Sequence, residues 1–208
     1  MIARSLAFVA RMISGATARW TAPLDPERQR VFFANHTSHL DFILVWSSLP
    51  PAMRERTRPV AGSDYWGKGA VRRYLATKVF NAILIERPAS GGGHAVTAAA
   101  KSIESIAAGM GDHCSIIVFP EGTRSLTGEI LPFKSGLYHL LRLKPGLEIV
   151  PIYLANMNRI LPKGEVLPVP LIGRVIVGAP MALDPAEDKQ AFLARAREAM
   201  LALRDQWN

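Results

Sequence analysis

The sequence predicts a single α/β domain with a mostly parallel sheet flanked by helices. Three observations carry this reading. Short apolar, β-prone runs alternate with amphipathic segments of helical length, one run is apolar almost throughout, as a strand buried on both faces must be, and the C-terminus carries a full set of helix-start signals. The chain has 208 residues and is 49% apolar, which is enough for one real core near the size of one domain.

Residues 1–20 carry Arg4, Arg11 and Arg19, with Ile2, Leu6, Val9 and Ile13 on one helical face. They predict a short cationic amphipathic helix that either lies in a membrane interface or packs on the core. The apolar run 6–10 is too short for a persuasive signal peptide. This divides the chain into an N-terminal helix over residues 1–22 and an α/β domain over residues 23–208.

After the polar break at 21–30, Val31-Phe32-Phe33-Ala34 reads as a buried strand ending at Asn35-His36. Thr37 and Ser38 can cap a helix whose apolar positions Leu40, Ile43 and Leu44 run to Leu49-Pro50-Pro51, where proline stops the ladder. The alternation continues with strands at 59–62 and 82–86 and helices at 66–80 and 94–108, the last after Gly91-Gly92-Gly93. Residues 115–119, Ser-Ile-Ile-Val-Phe, give the strongest strand signal and should lie centrally. A helix at 135–143, a strand at 147–154 despite Pro151, and a late strand at 174–177 follow. The closing helix is marked by Asp184 as N-cap, Pro185 at its first position and Glu187 three residues after the cap. Phe192, Ala196, Met200, Leu203 and Trp207 form its apolar stripe.

The formal charge of +8 and sequence pI near 10.1 call for an anionic partner. Arg54, Arg56, Arg58, Lys68, Arg72, Arg73, Lys78 and Arg87 crowd residues 54–87, yet no aromatic reader of nucleic-acid bases accompanies them, so nucleic acid is not the expected partner. An anionic membrane surface or an acidic carrier protein meets the same charge. Tyr65 and Trp66 beside Lys68 fit the core, an interface, or a headgroup region. The lone Cys114 cannot form an internal disulfide and fits a reducing cytoplasm, with the core as its default place. No stretch reaches the roughly 18–20 apolar residues of a spanning helix. The expected location is cytoplasmic and peripheral on the cytoplasmic face of a membrane, with no transmembrane helix.

Such folds place chemistry in loops at the carboxyl ends of their strands, and two motifs fall there. The first is Asn35-His36-Thr37-Ser38-His39-Leu40-Asp41, a histidine with a carboxylate five residues on. A turn between them lets Asp41 accept from one imidazole nitrogen and leaves the other to take a proton from an alcohol. Local alternatives stand beside this: His36 as a helix cap, Asp41 as a favourable charge in the first helical turn, or the pair as scaffolding. A metal held by His36, His39 and Asp41 lacks the His-Glu-x-x-His pattern or cysteine ligands of a zinc site, so no metal is expected.

The second motif is Phe119-Pro120-Glu121-Gly122-Thr123-Arg124-Ser125. Gly122 permits close backbone approach to a ligand, and Thr123, Arg124 and backbone N–H groups can donate to phosphate oxygens. Glu121 can hold Arg124 or a substrate hydroxyl, while an ordinary tight turn with a Glu121–Arg124 surface ion pair is the plain alternative.

The first motif resembles the NHxSxxD block, with its H-x-x-x-x-D pair, of the glycerolipid and lysophospholipid acyltransferases, and the second resembles their FPEGTRS block, about 80 residues later as that family spaces them. Ile83-Leu84-Ile85-Glu86-Arg87 is similar to the family strand ending in arginine, with Glu86 where aspartate is usual. Ile149-Val150-Pro151-Ile152 resembles the final block. The resemblance covers residues 31–154.

It implies a base at His36, oriented by Asp41, that activates a lysophospholipid hydroxyl for direct attack on an acyl thioester, with no acyl-enzyme. Arg87, Glu121, Gly122, Thr123 and Arg124 would bind the phosphate and glycerol of the acceptor, and Lys134 would add a cation. The implied acceptor is 1-acyl-glycerol-3-phosphate, giving phosphatidate. The donor is acyl-CoA or acyl carrier protein, and no cofactor is expected. The alternatives are another lysolipid or hydroxyl-lipid acceptor, a hydrolase that passes the acyl group to water, and a non-catalytic lipid-binding module.

Overall fold

The computed structural model describes residues 17–38, 41–86, 95–155 and 173–206. Its strands are β1 Thr17–Trp20, β2 Arg30–Ala34, β3 Thr57–Gly62, β4 Ile83–Ile85, β5 Ser115–Val118, β6 Glu148–Ala155 and β7 Arg174–Val177. They form one seven-stranded sheet in the order β1-β7-β6-β2-β5-β3-β4. Every pairing is parallel except β6 with β7, as the α/β reading expects. The helices are α1 Asp41–Ser48, α2 Pro51–Glu55, α3 Ser63–Trp66, α4 Ala70–Tyr74 with a π-helical turn Leu75–Val79, α5 Ala95–Met110, α6 Gly136–Leu143 and α7 Lys189–Asp205.

The period of two in β2 builds the layers. Phe32 and Ala34 join a core with Phe42, Leu44, Val45 and Trp46 of α1 and with Phe80. Val31 and Phe33 point the other way, into a core with Ile106 and Met110 of α5, Leu137, Leu140 and Leu141 of α6, and Phe192, Ala196 and Met200 of α7. β2 is therefore covered on both faces, and all five of its residues are buried. It lies between β5 and β6, with Val31 level with Ile116 on one side and Ile149 on the other. Each large apolar side chain so buried contributes about 1.5–3 kcal/mol. Pro151 is tolerated inside β6 because pairing with β7 begins at Ile152, while the Pro151 carbonyl accepts from the Gly178 N–H at 2.8 Å.

Several local expectations are corrected. Residues 17–20 are not the end of an amphipathic helix: Thr17–Trp20 is an edge strand on β7, in which Ala18 and Trp20 pack on the core and Thr17 and Arg19 face solvent. Alternation of period two in four residues overrides the helical pattern there. The remainder of the expected N-terminal helix lies outside the described residues. The helix expected at 66–80 is broken into short pieces around Gly67 and Gly69, the latter with φ at 79°, a conformation that a continuous helix does not contain. α1 ends at Ser48, as the prolines at 50 and 51 predict, and Pro51 then opens the separate helix α2 at its first position. The closing helix starts later than predicted. Asp188, not Asp184, is the N-cap, accepting from the N–H groups of Gln190 and Ala191, and Asp184 caps the preceding turn through the Ala186 N–H. Cys114 is half-buried rather than in the core.

Among the described residues no helix is long and apolar enough to cross a membrane. The crowded basic region also divides. Arg54 donates to the carbonyls of Ser47 and Leu49 at the end of α1, Arg56 to the His113 carbonyl and Glu27, and Arg58 to the carbonyls of Asn81 and Gly109. These three arginines close helix ends and loops, where cations meet the negative pole of the backbone.

Candidate active site

β2 and β5 are parallel neighbours with Phe33 level with Val118, so the residues that follow them, His36 and the loop from Phe119, emerge side by side at one edge of the sheet. Asn35 fixes the turn after β2. Its side-chain amide donates to the Leu154 carbonyl at 3.0 Å and its carbonyl accepts from the Leu154 N–H at 2.7 Å, so a buried side chain copies one rung of the ladder between β2 and β6.

The chain then turns as the sequence requires for a dyad. His36 Nδ1 lies 2.8 Å from Asp41 Oδ2. The same oxygen accepts from the backbone N–H of Thr37 at 2.6 Å and of Ser38 at 2.8 Å. Asp41, the first residue of α1, gathers the backbone N–H groups of Thr37 and Ser38. The aspartate is fully buried while the imidazole is 17% exposed, so the base is the solvent-accessible member of the pair. Oδ2 already accepts from two N–H groups, so hydrogen-bond logic puts the third proton on Nδ1 and makes Nε2 the basic nitrogen. Phe119 stacks on the imidazole at 4.2 Å between centroids and 21° between planes, fixing the ring's tilt.

Glu121 is 2% exposed. Its Oε1 accepts from the His36 N–H at 2.8 Å and its Oε2 from the Leu131 N–H at 2.9 Å. Ser125 returns the link, its N–H donating to the His36 carbonyl at 2.7 Å. Glu121 is therefore a brace between backbones; it forms neither the surface ion pair with Arg124 nor a group turned to the open face of the loop. Burial pushes its pKa up to about 7, against the lowering effect of the two N–H donors, with the nearby Asp41 adding to the rise.

Gly122 has φ at 69°, and a Cβ there would stand 2.8 Å from Lys134 Cδ and 3.0 Å from its Nζ. The glycine thus makes room for an ammonium laid along the loop, whose own backbone N–H donates to the Pro120 carbonyl at 2.8 Å. Thr123 is exposed and Arg124 half-buried. The structure brings together His36, Asp41, Glu121, Gly122, Thr123, Arg124 and Lys134; Arg87 and His39 lie outside the described residues. Among the described residues no group of three His, Cys, Asp or Glu side chains is arranged to hold a metal ion. His113 and His139 are exposed, away from this cluster. Sequence reasoning gave no role to Asn35 or Phe119, although both stand inside the motifs it singled out.

The acyltransferase family model matches residues 19–155. The chain belongs to the Acyltransferase family. Both motifs of the site lie inside the matched segment. The chain is 29% identical over 140 residues to the 1-acyl-sn-glycerol-3-phosphate acyltransferase alpha of Mus musculus, covering 67% of this chain and 45% of that protein. It is 30% identical over 131 residues to the Homo sapiens protein of the same name, covering 63% and 42%. A Cocos nucifera 1-acyl-sn-glycerol-3-phosphate acyltransferase matches over 63 residues at 46%, covering 30% of this chain and 20% of that one. The chain thus spans less than half the length of these curated acyltransferases. Among solved structures, the 1-acyl-sn-glycerophosphate (LPA) acyltransferase, PlsC, from Thermotoga maritima superposes with a TM-score of 0.71 at 20% identity, covering 99% of this chain and 78% of that chain. At that identity the likeness speaks for the fold.

Proposed function

We propose that this chain transfers a fatty-acyl group from a thioester, acyl-CoA or acyl carrier protein, to the hydroxyl of a lysophospholipid, with 1-acyl-glycerol-3-phosphate as acceptor and phosphatidate as product. The single observation that carries the reading is the 2.8 Å contact of His36 Nδ1 with a buried Asp41, a geometry that leaves the other ring nitrogen to act as a base. His36 Nε2 takes the proton of the acceptor hydroxyl as its oxygen attacks the thioester carbonyl. The tetrahedral intermediate expels the thiolate, which recovers the proton from the imidazolium. Asp41 stabilises that imidazolium and holds its tautomer. Lys134 and Arg124, with Thr123 and the backbone around Gly122, offer donors to a phosphate, and Arg87 would add another cation by resemblance. The names of the curated relatives support the same acceptor. A peripheral place on the cytoplasmic face of a membrane fits a lipid acceptor.

The test offers both donors against a panel of lysolipids and reads thiol release with product mass spectrometry. Release that depends on lysophosphatidate, and is lost in His36→Ala, supports the reading. Thiol release without acceptor would make the protein a hydrolase, and full transfer by His36→Ala would remove the base.

A further inference from the structure

The peptide unit that joins Ile130 to Leu131 is bonded at both ends. Its N–H, on Leu131, donates to Glu121 Oε2 at 2.9 Å. Its carbonyl, on Ile130, accepts from Arg197 Nη2 at 2.8 Å. Glu121 Oε1 in turn accepts from the His36 N–H. One line of hydrogen bonds therefore runs from a guanidinium on α7, through a single peptide and a buried carboxylate, to the backbone of the base. Arg197 stands 67 residues beyond Ile130 in the chain and outside both motifs of the site.

Ala196 and Met200 of α7 are buried in the same core as Ile130, so the helix is anchored beside the loop it holds. Arg197 is half-buried, and its Nε is buried with no hydrogen-bond partner among the described residues. That is a costly arrangement for a group kept only for its hydrogen bonds. Its charge has a use. Glu121 is buried with both oxygens held by backbone N–H groups, and two charged side chains act on it: Asp41 on α1 opposes its ionisation and Arg197 on α7 favours it. The peptide adds direction, because a carbonyl bonded to a cation polarises its own N–H into a stronger donor toward the carboxylate. A second tie from α7, Arg204 Nη1 to Glu129 Oε2 at 3.5 Å, reaches the neighbouring residue but lies at the surface, where such pairs hold little.

We propose that Arg197 is a positioning residue for His36, acting through the Ile130–Leu131 peptide and Glu121 to fix the backbone from which the base projects. The role rests on the proposed function, in which His36 takes the acceptor proton. Small misplacement of a base slows proton transfer while both substrates still bind.

Three substitutions test this. Arg197→Met keeps an apolar stem alone, Arg197→Gln keeps a donor without charge, and Arg197→Lys keeps a donor with charge. The kcat should fall about ten- to hundredfold in Arg197→Met, less in Arg197→Gln and least in Arg197→Lys, with KM for donor and acceptor level. Arg204→Ala should behave as the unaltered chain. Nuclear magnetic resonance of the same proteins gives a measurement independent of acyl transfer. The amide protons of His36 and Leu131 should move upfield in Arg197→Met as their bonds to Glu121 weaken. The Glu121 carboxyl carbon should titrate at higher pH in the Met and Gln variants and not in the Lys variant. Circular dichroism confirms folding, and if Arg197→Met does not fold, the order of Lys over Gln decides. A change confined to KM, equal rates in the Gln and Lys variants, an equal loss in Arg204→Ala, or unmoved amide protons overturns the proposal. The two readings separate: moved amide protons in a chain that transfers no acyl group keep the positioning of His36 and remove the reaction, and full transfer by Arg197→Met with unmoved amide protons does the reverse.

Discussion

The backbone N–H of His36 donates to Glu121 Oε1 at 2.8 Å across a separation of 85 residues, so the acidic group of the second motif positions the base of the first. Glutamine at 121 has one acceptor for two N–H donors and would aim its own NH₂ at the other. Glu121→Gln should lower stability by about 1–3 kcal/mol, read as a shifted urea midpoint at unchanged slope. It should also reduce transfer more than substrate affinity, because both carboxylate oxygens are committed to the backbone N–H groups of His36 and Leu131; a change confined to KM would contradict this.

The raised pKa of Glu121 makes stability depend on pH with a definite sign. Folding lifts it from 4.5 to about 7, so the folded state holds the proton more tightly than the unfolded chain. The stability this gives is fully present below about pH 4.5 and is lost as pH rises through about 7. Unfolding free energies of the unaltered chain minus those of Glu121→Gln should therefore fall between pH 5 and pH 8. A flat difference would sink the assignment.

Asp41→Asn presents an NH₂ or a weaker acceptor where three hydrogen bonds converge and inverts the tautomer of His36. Acceptor-dependent thiol release should fall by up to about 10⁴-fold. Adding His36→Ala should cost little more, since groups acting as one unit are not additive. Multiplicative losses in the double variant would mean that Asp41 acts elsewhere.

Gly122→Ala and Lys134→Ala should look alike in kinetics. The alanine Cβ would stand within 3.0 Å of the Lys134 ammonium and displace it, at a backbone cost of about 1 kcal/mol for the positive φ. Both variants should raise KM for the phosphate-bearing acceptor about tenfold, one charge-assisted contact's worth, while KM for the thioester donor stays level. Different acceptor profiles would separate the glycine from the lysine.

Asn35→Asp tests the side-chain rung between β2 and β6. The aspartate would still accept from the Leu154 N–H but would face the Leu154 carbonyl with a charged acceptor, replacing a bond by repulsion at a buried site, so it should destabilise more than Asn35→Ala, itself about 2 kcal/mol. Thermal melts of the two variants give the order directly.

The alternation of apolar runs made the parallel sheet legible, and β7 was read to the residue, because burial on both faces leaves an unmistakable composition in strands such as Ser115–Val118. The dyad was legible because a five-residue spacing can close only locally. Three things were not. β1 is four residues on an edge, too few for a period of two to compete with a helical stripe across 1–20. Gly67 and Gly69 interrupt a segment whose apolar spacing alone reads as one helix. The brace from Glu121 to His36 and the rung from Asn35 to Leu154 join residues far apart in the chain, and their partners are backbone groups, which every residue carries and no sequence marks.

β1 and β7 run against β6, so Thr17 and Arg174 stand at the same edge as Ala155. The chain before residue 17, the connection from 86 to 95 and the connection from 155 to 173 therefore all meet the sheet on the side of His36. On the other side the connections range from residues 80–82 and 111–114 to residues 21–29 and 178–188. Changes of length in the first three segments leave the strand pairings untouched. The length and sequence of those segments can therefore vary without disturbing a rung of the sheet, separately from the dyad and from the loop after β5.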